Sequence, residues 1–117
     1  MRRKPAQQSR KKKIPKHLQH RIGEANQMFT FGKFDEAIPL FEQVLTEMPE
    51  LADVTHTMSL IYEEKGDMKK AFTYAVLSAI ETRTDTEKWQ NCARIALNLG
   101  RYSHAIYSYN RAIKALE

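Results

Sequence analysis

The chain has 117 residues, enough for one domain, with 42% hydrophobic residues and a formal net charge of +5. No apolar run reaches the roughly 18–20 residues of a membrane span, and the polar, basic start has no apolar leader core. The single cysteine, Cys92, permits no intrachain disulfide, so the composition predicts a reducing, intracellular setting.

The charge is unevenly placed. Residues 1–21 hold nine Lys/Arg and no Asp/Glu, whereas residues 22–117 hold ten Lys/Arg and fourteen Asp/Glu. The high isoelectric point therefore belongs to the tail and not to the body. Residues 1–17, with Pro5, Pro15 and little apolar content, read as a disordered tail. Its basic residues fall in two clusters, Arg2-Arg3-Lys4 and Arg10-Lys11-Lys12-Lys13. Three readings stay open for them: a nuclear-import signal, weak sequence-blind contact with nucleic-acid phosphates, or a solubilising tail. No aromatic residue lies among them to stack on a single strand.

Beyond the tail the chain repeats itself. Gly32, Gly66 and Gly100 are spaced 34 residues apart, and Ala37, Ala71 and Ala105 keep the same step, as do Phe34, Met68 and Tyr102. Helices are expected near 17–30, 34–47, 52–64, 68–82, 86–98 and 102–116, grouped as units 18–51, 52–85 and 86–117. Each glycine sits where the first helix of a unit must end in positive φ, and each alanine sits where the second helix crosses the first. A leucine at the alanine position would cost roughly 1–3 kcal/mol in overpacking. A 34-residue helix–turn–helix period resembles the tetratricopeptide repeat (TPR). The fold class expected is all-α: a solenoid of three such repeats behind a disordered basic tail.

Other features fit this frame. Trp89, Tyr62, Phe41 and Tyr109 occupy aromatic packing positions of the repeat. Pro39 falls inside the second helix, where it cannot donate to the carbonyl of Asp35 and should loosen the first turns. Thr84-Asp85-Thr86-Glu87 offers a capping box for the fifth helix. No phosphate loop, metalloprotease helix or nucleophile elbow is present, so neither an enzyme nor a cofactor or metal site is expected. His17 and His20 lack further ligands, Cys92 reads as a small buried hydrophobe, and Glu63-Glu64 reads as a solvated helix end.

Stacked repeats curve, and their first helices line the concave face. By phase, Ile22, Asn26 and Phe29 of the first unit, His56, Leu60 and Glu63 of the second, and Gln90, Arg94 and Leu97 of the third face this groove. Its acidic middle and apolar patches suit an amphipathic or extended protein segment with some basic residues. The resemblance to TPR domains that grip the C-terminal carboxylate of heat-shock chaperones implies a clamp of Lys, Arg and Asn at the positions held here by Ile22, Asn26, Thr57, Glu87 and Asn91. Only Asn26 has the residue type such a clamp needs, and Glu87 would repel the ligand.

Longer strings narrow the family. Gly23-Glu24-Ala25-Asn26, the run Leu60-Ile61-Tyr62-Glu63-Glu64-Lys65-Gly66-Asp67-Met68, Asp85-Thr86-Glu87-Lys88-Trp89 and Ala105-Ile106-Tyr107-Ser108-Tyr109 together resemble the TPR subunit of transcription factor IIIC. That resemblance covers about 18–117. It implies a non-catalytic nuclear scaffold that contacts other factor IIIC subunits and factor IIIB in RNA polymerase III transcription; the alternative is a TPR adapter of an unrelated co-chaperone, trafficking or cell-cycle complex, in the cytoplasm. DNA contact would be indirect, or weak through the tail, with no membrane and no small-molecule substrate. It also implies a longer array. The lack of a capping helix before Glu117 then suggests a fragment, a truncated gene model or a shortened paralogue.

Overall fold

A computed structural model describes residues 13–117, and six helices account for most of them. They are α1 (Lys16–Thr30), α2 (Phe34–Glu47), α3 (Ala52–Glu64), α4 (Met68–Thr82), α5 (Thr86–Asn98) and α6 (Tyr102–Ala115). No strand occurs among the described residues. The helices pair as α1–α2, α3–α4 and α5–α6, and α5 also packs closely on α4. The chain is an all-α helical-repeat solenoid, 42 × 37 × 21 Å. The tail clusters Arg2-Arg3-Lys4 and Arg10-Lys11-Lys12 lie outside the described residues, and Lys13 is exposed.

The three hairpin turns are built alike. Gly32, Gly66 and Gly100 have φ of 75°, 83° and 73°, a region that other residues enter only with strain. The Gly32 N–H donates to the carbonyl of Phe29, and the Lys33 N–H donates to that of Met28. The same two bonds recur around Gly66 and Gly100. This is the Schellman arrangement, which satisfies carbonyls that a helix end leaves free.

Behind the turns, Ala37 and Ala71 are fully buried and Ala105 nearly so, which allows close helix approach. Phe41, Val44, Met58, Ile61 and Ile95 fill the core between the pairs. The seam between the second and third units is aromatic: Phe72 of α4 lies edge-on to His104, with the Arg101 guanidinium over its ring.

One local expectation changes. The cap of α5 is Asp85, one residue later than the Thr84 box proposes: its carboxylate accepts from the Lys88 N–H, while Thr84 Oγ1 donates back to the carbonyl of Thr82. A carboxylate is a stronger acceptor at the positive helix end than a hydroxyl, and Lys88 Nζ adds a second contact at 3.2 Å. Pro39 lies inside α2 without ending it. Helix α2 runs unbroken through it, because Phe41 and Val44, just beyond, are wholly buried and hold the helix down.

Pro39 still leaves the Asp35 carbonyl without its helical donor. Pro39→Ala should restore that bond and stabilise the chain by about 1–2 kcal/mol net of the extra freedom of the unfolded chain. Urea unfolding followed by circular dichroism measures this, and a loss of stability would show that the proline fits its site without strain.

Between the second and third units, Arg83 is the one non-glycine with positive φ (60°) among the described residues. The Thr84 N–H reaches back to the Thr82 carbonyl, closing a γ-turn around Arg83. The turn is fastened by the Trp89 indole, whose Nε1–H donates to the Arg83 carbonyl at 2.9 Å.

Candidate peptide groove

The phase-selected groove residues divide into three groups. Ile22 and Phe29 are half-buried and packed against the core, Phe29 with its ring 5.9 Å from that of Phe34. Much of their apolar surface is therefore spent on holding α1 to α2. Asn26, Gln90, Arg94 and Leu97 are exposed, and His56, Leu60 and Glu63 are half-buried. The structure brings Glu63 and Arg94 into direct contact. Gln90 and Arg94 share a shallow depression with Glu87, Asn91 and Tyr109.

The Glu63–Arg94 contact corrects the reading of Glu63 as a solvated helix end. The Arg94 guanidinium grips both carboxylate oxygens, with Nη2 to Oε1 at 2.9 Å. Nη2 also donates to Asn91 Oδ1, and Asn91 Nδ2 reaches Ser59 Oγ at 3.4 Å. The fork geometry suits a carboxylate and ties α5 to α3 across the groove floor. The Arg94 hydrogen bonds hold the Glu63 carboxyl below its usual range, and Glu63 pushes the Arg94 guanidinium higher. One acidic and one basic groove residue thus neutralise each other.

A second polar set lies at the start of α5. Lys88 is largely buried, with Nζ 3.2 Å from Asp85 and 4.0 Å from Asp53. Beside it, His56 has its Nδ1 buried without a hydrogen-bond partner. Burial, followed by the Lys88 charge, lowers the His56 pKa below 6.5, against the opposing pull of Glu87, Asp85 and Asp53. In the window below pH 6.5 the folded chain therefore binds fewer protons at His56 than the unfolded chain. Stability should be full above that pH and should fall as the pH drops through it. A urea midpoint that declines from pH 7 to 5.5, and declines less in His56→Gln, is the expected result.

The depression includes residues outside the groove set. Repeat phase gives Asn91 a clamp position and Tyr109 an aromatic packing position, yet Tyr109 is 40% exposed. Lys88 stands in the Asp85-to-Trp89 string, which gives it no site role. The signal for Tyr109 is the repeat itself: it stands 34 residues after Ala75, which α5 covers. Elsewhere, His17 Nε2 pairs with Glu47 at 3.0 Å. Cys92 is buried against Ser108 Oγ at 3.4 Å, and burial pushes its thiol pKa up, as an unreactive cysteine requires. No group of three His, Cys, Asp or Glu residues that could hold a metal occurs among the described residues. No described helix is long and apolar enough to cross a membrane.

Known proteins bear on this geometry. A family model described as the SusR N-terminal TPR domain matches residues 6–105. General transcription factor 3C polypeptide 3 of Homo sapiens is 32% identical over 102 residues, covering 87% of this chain but 12% of that protein. The Sgt2 TPR domain from Aspergillus fumigatus superposes with a TM-score of 0.73 at 20% identity, over 86% of this chain and 67% of that one. The second TPR of Spaghetti (RPAP3), bound to the HSP90 peptide SRMEEVD, superposes with a TM-score of 0.74 at 12% identity, over 86% and 93%. At such identities the two structures speak for the fold alone. The three-unit helical stack, its glycine-closed turns and the family match agree: this chain belongs to the tetratricopeptide-repeat family, in the group described as the SusR N-terminal TPR domain, and its fold is a scaffold for protein–protein contact.

Proposed function

We propose that this chain is a non-catalytic assembly module of the transcription factor IIIC type, acting in the nucleus at RNA polymerase III promoters. The observation that carries this reading is the 32% identity to general transcription factor 3C polypeptide 3 over 87% of the chain. It spans 12% of that protein, so the module would supply one segment of a larger scaffold. Its partners are other factor IIIC subunits and factor IIIB. The groove residues Ile22, Asn26, Phe29, His56, Leu60, Glu63, Gln90, Arg94 and Leu97 would take a protein segment. The basic tail, Arg2 to Lys4 and Arg10 to Lys13, would serve nuclear import or weak contact with DNA.

Affinity purification of the tagged full chain from nuclear extract tests the assignment. Recovery of factor IIIC subunits is expected, and their absence would sink it. The groove has its own test. Arg94→Ala frees the Glu63 carboxylate, and should leave the fold within about 1 kcal/mol because the pair is partly exposed, while changing capture of the groove-bound segment.

The carboxylate-clamp alternative receives no support from the site. Glu87 is exposed beside Asn91 in the depression, and Arg94 is already held by Glu63. A peptide ending in a free carboxylate should bind more weakly than ~1 mM. The sequence SRMEEVD, which the Spaghetti TPR holds, is the natural probe.

A further inference from the structure

Three residues before Ile22, His56 and Gln90 stand Gln19, Asp53 and Glu87, on the same faces of the first helices but one turn nearer their starts. They are 34 residues apart and all exposed, so they form one row along the rim of the groove. From α3 onward the row is acidic. The Asp53 side chain is fully exposed, and Lys88, at 4.0 Å, lies closer to Asp85, at 3.2 Å. Glu87 shares the depression with Gln90 and makes no ion pair among the described residues. Arg94, the cation of the groove set, is held by Glu63. The rim therefore presents negative charge that the groove itself does not neutralise, above the half-buried apolar Ile22 and Leu60.

The first member of this row is tied to the tail. Gln19 Nε2 donates to the carbonyl of Ile14 at 2.7 Å, and Ile14 is partly buried against the core. The chain that precedes α1 is thus delivered to the rim at Gln19, with Asp53 and Glu87 next along the row. Residues 1–13 carry seven Lys/Arg and no Asp/Glu. Packed helices lie about 8–10 Å apart, which makes the row on the order of 20–25 Å long. Twelve extended residues span up to about 40 Å, so both basic clusters can reach it. A short tether also gives an effective concentration on the order of 1 mM, well above that of a second copy in a dilute sample. A contact too weak to hold a separate peptide is therefore populated within one chain.

We propose that the groove's occupant in the isolated chain is the chain's own basic tail. Residues 1–13 lie along the rim, Arg10 to Lys13 against Asp53 and Arg2 to Lys4 toward Glu87. Groove and tail then exclude each other's partners: a protein segment that fills the groove releases the tail's cations for phosphate or an import receptor. The release step rests on the assembly role proposed above; the docking itself does not.

A nitroxide on Ser9→Cys reports the docking in the full chain, because the buried Cys92 resists labelling. In NMR spectra at about 50 mM salt, the amides of Asp53 and Glu87 should lose most of their intensity, while those of Lys33 and Lys69, at the hairpin-turn edge, keep theirs. The double substitution Asp53→Asn, Glu87→Gln should restore the lost signals, as should about 500 mM salt. Replacing Arg10, Lys11, Lys12 and Lys13 with Gln gives the same restoration and leaves the helices untouched, so it carries the test if the double variant fails to fold. Signals undiminished at Asp53 and Glu87, equal loss at both edges, or loss that survives these substitutions would overturn the proposal. So would loss in an isotope-labelled chain mixed with a spin-labelled one, because the tail would then belong to a second copy. None of these outcomes bears on recovery of factor IIIC subunits, which tests the assembly role alone.

Discussion

Trp89→Ala should cost about 3–5 kcal/mol, the range for emptying a buried tryptophan site. The side chain is 3% exposed and packs on Ala79 and Ala112 from two other helices. The Tyr107 ring meets it edge-on at 6.1 Å, and the Arg111 guanidinium lies over its face at 5.2 Å. Its loss also removes the indole hydrogen bond to the Arg83 carbonyl, leaving the γ-turn between the second and third units unfastened. Against a total stability of about 5–15 kcal/mol, one substitution would consume a large share. Trp89→Phe keeps part of the packing and loses the bond, so it should fall between wild type and the alanine variant. Urea unfolding followed by circular dichroism gives both values. Equal stability of wild type and Trp89→Phe would show that the indole bond contributes nothing net.

Phe41→Ala should be comparably severe, about 3–5 kcal/mol, yet localised. Phe41 is fully buried on α2, two residues after Pro39, in the first unit of the stack. A repeat array is held by its units and their nearest neighbours, so a defect at one end need not propagate. Amide exchange should show α1 and α2 losing protection while α5 and α6 keep theirs. The same experiment on the unmodified chain should find α2 the least protected second helix, because of the missing Pro39 donor. Uniform protection across α2, α4 and α6 would count against that, and a uniform loss in Phe41→Ala would show that the three units unfold as one.

Much of the architecture could be read before the fold was seen, because the repeat is written in residues with strict backbone demands. Positive φ at a hairpin turn calls for glycine, and close helix crossing calls for alanine. The six expected helices accordingly lie within one residue of those observed. The pairing of Glu63 with Arg94 was not legible. Phase put both on one face, but separate helices carry them, and only the inter-helix distance decides whether they meet. The same holds for Lys88 with Asp53. The cap at Asp85 was missed because Thr84 matches a local pattern equally well; the structure chose the stronger acceptor. Ile22 and Phe29 were assigned to a ligand face that they share with the core, a division that sequence phase alone does not resolve.

The chain's single tryptophan and single cysteine, Trp89 and Cys92, stand three residues apart on α5, both shielded from water. Intrinsic fluorescence and thiol alkylation, the two simplest optical and chemical reporters of unfolding, therefore both watch the third unit. An opening of the first unit would be silent to each. A fluorescence melt that looks cooperative would describe one end of the spring, and agreement between it and alkylation kinetics would be agreement between two observers at the same window.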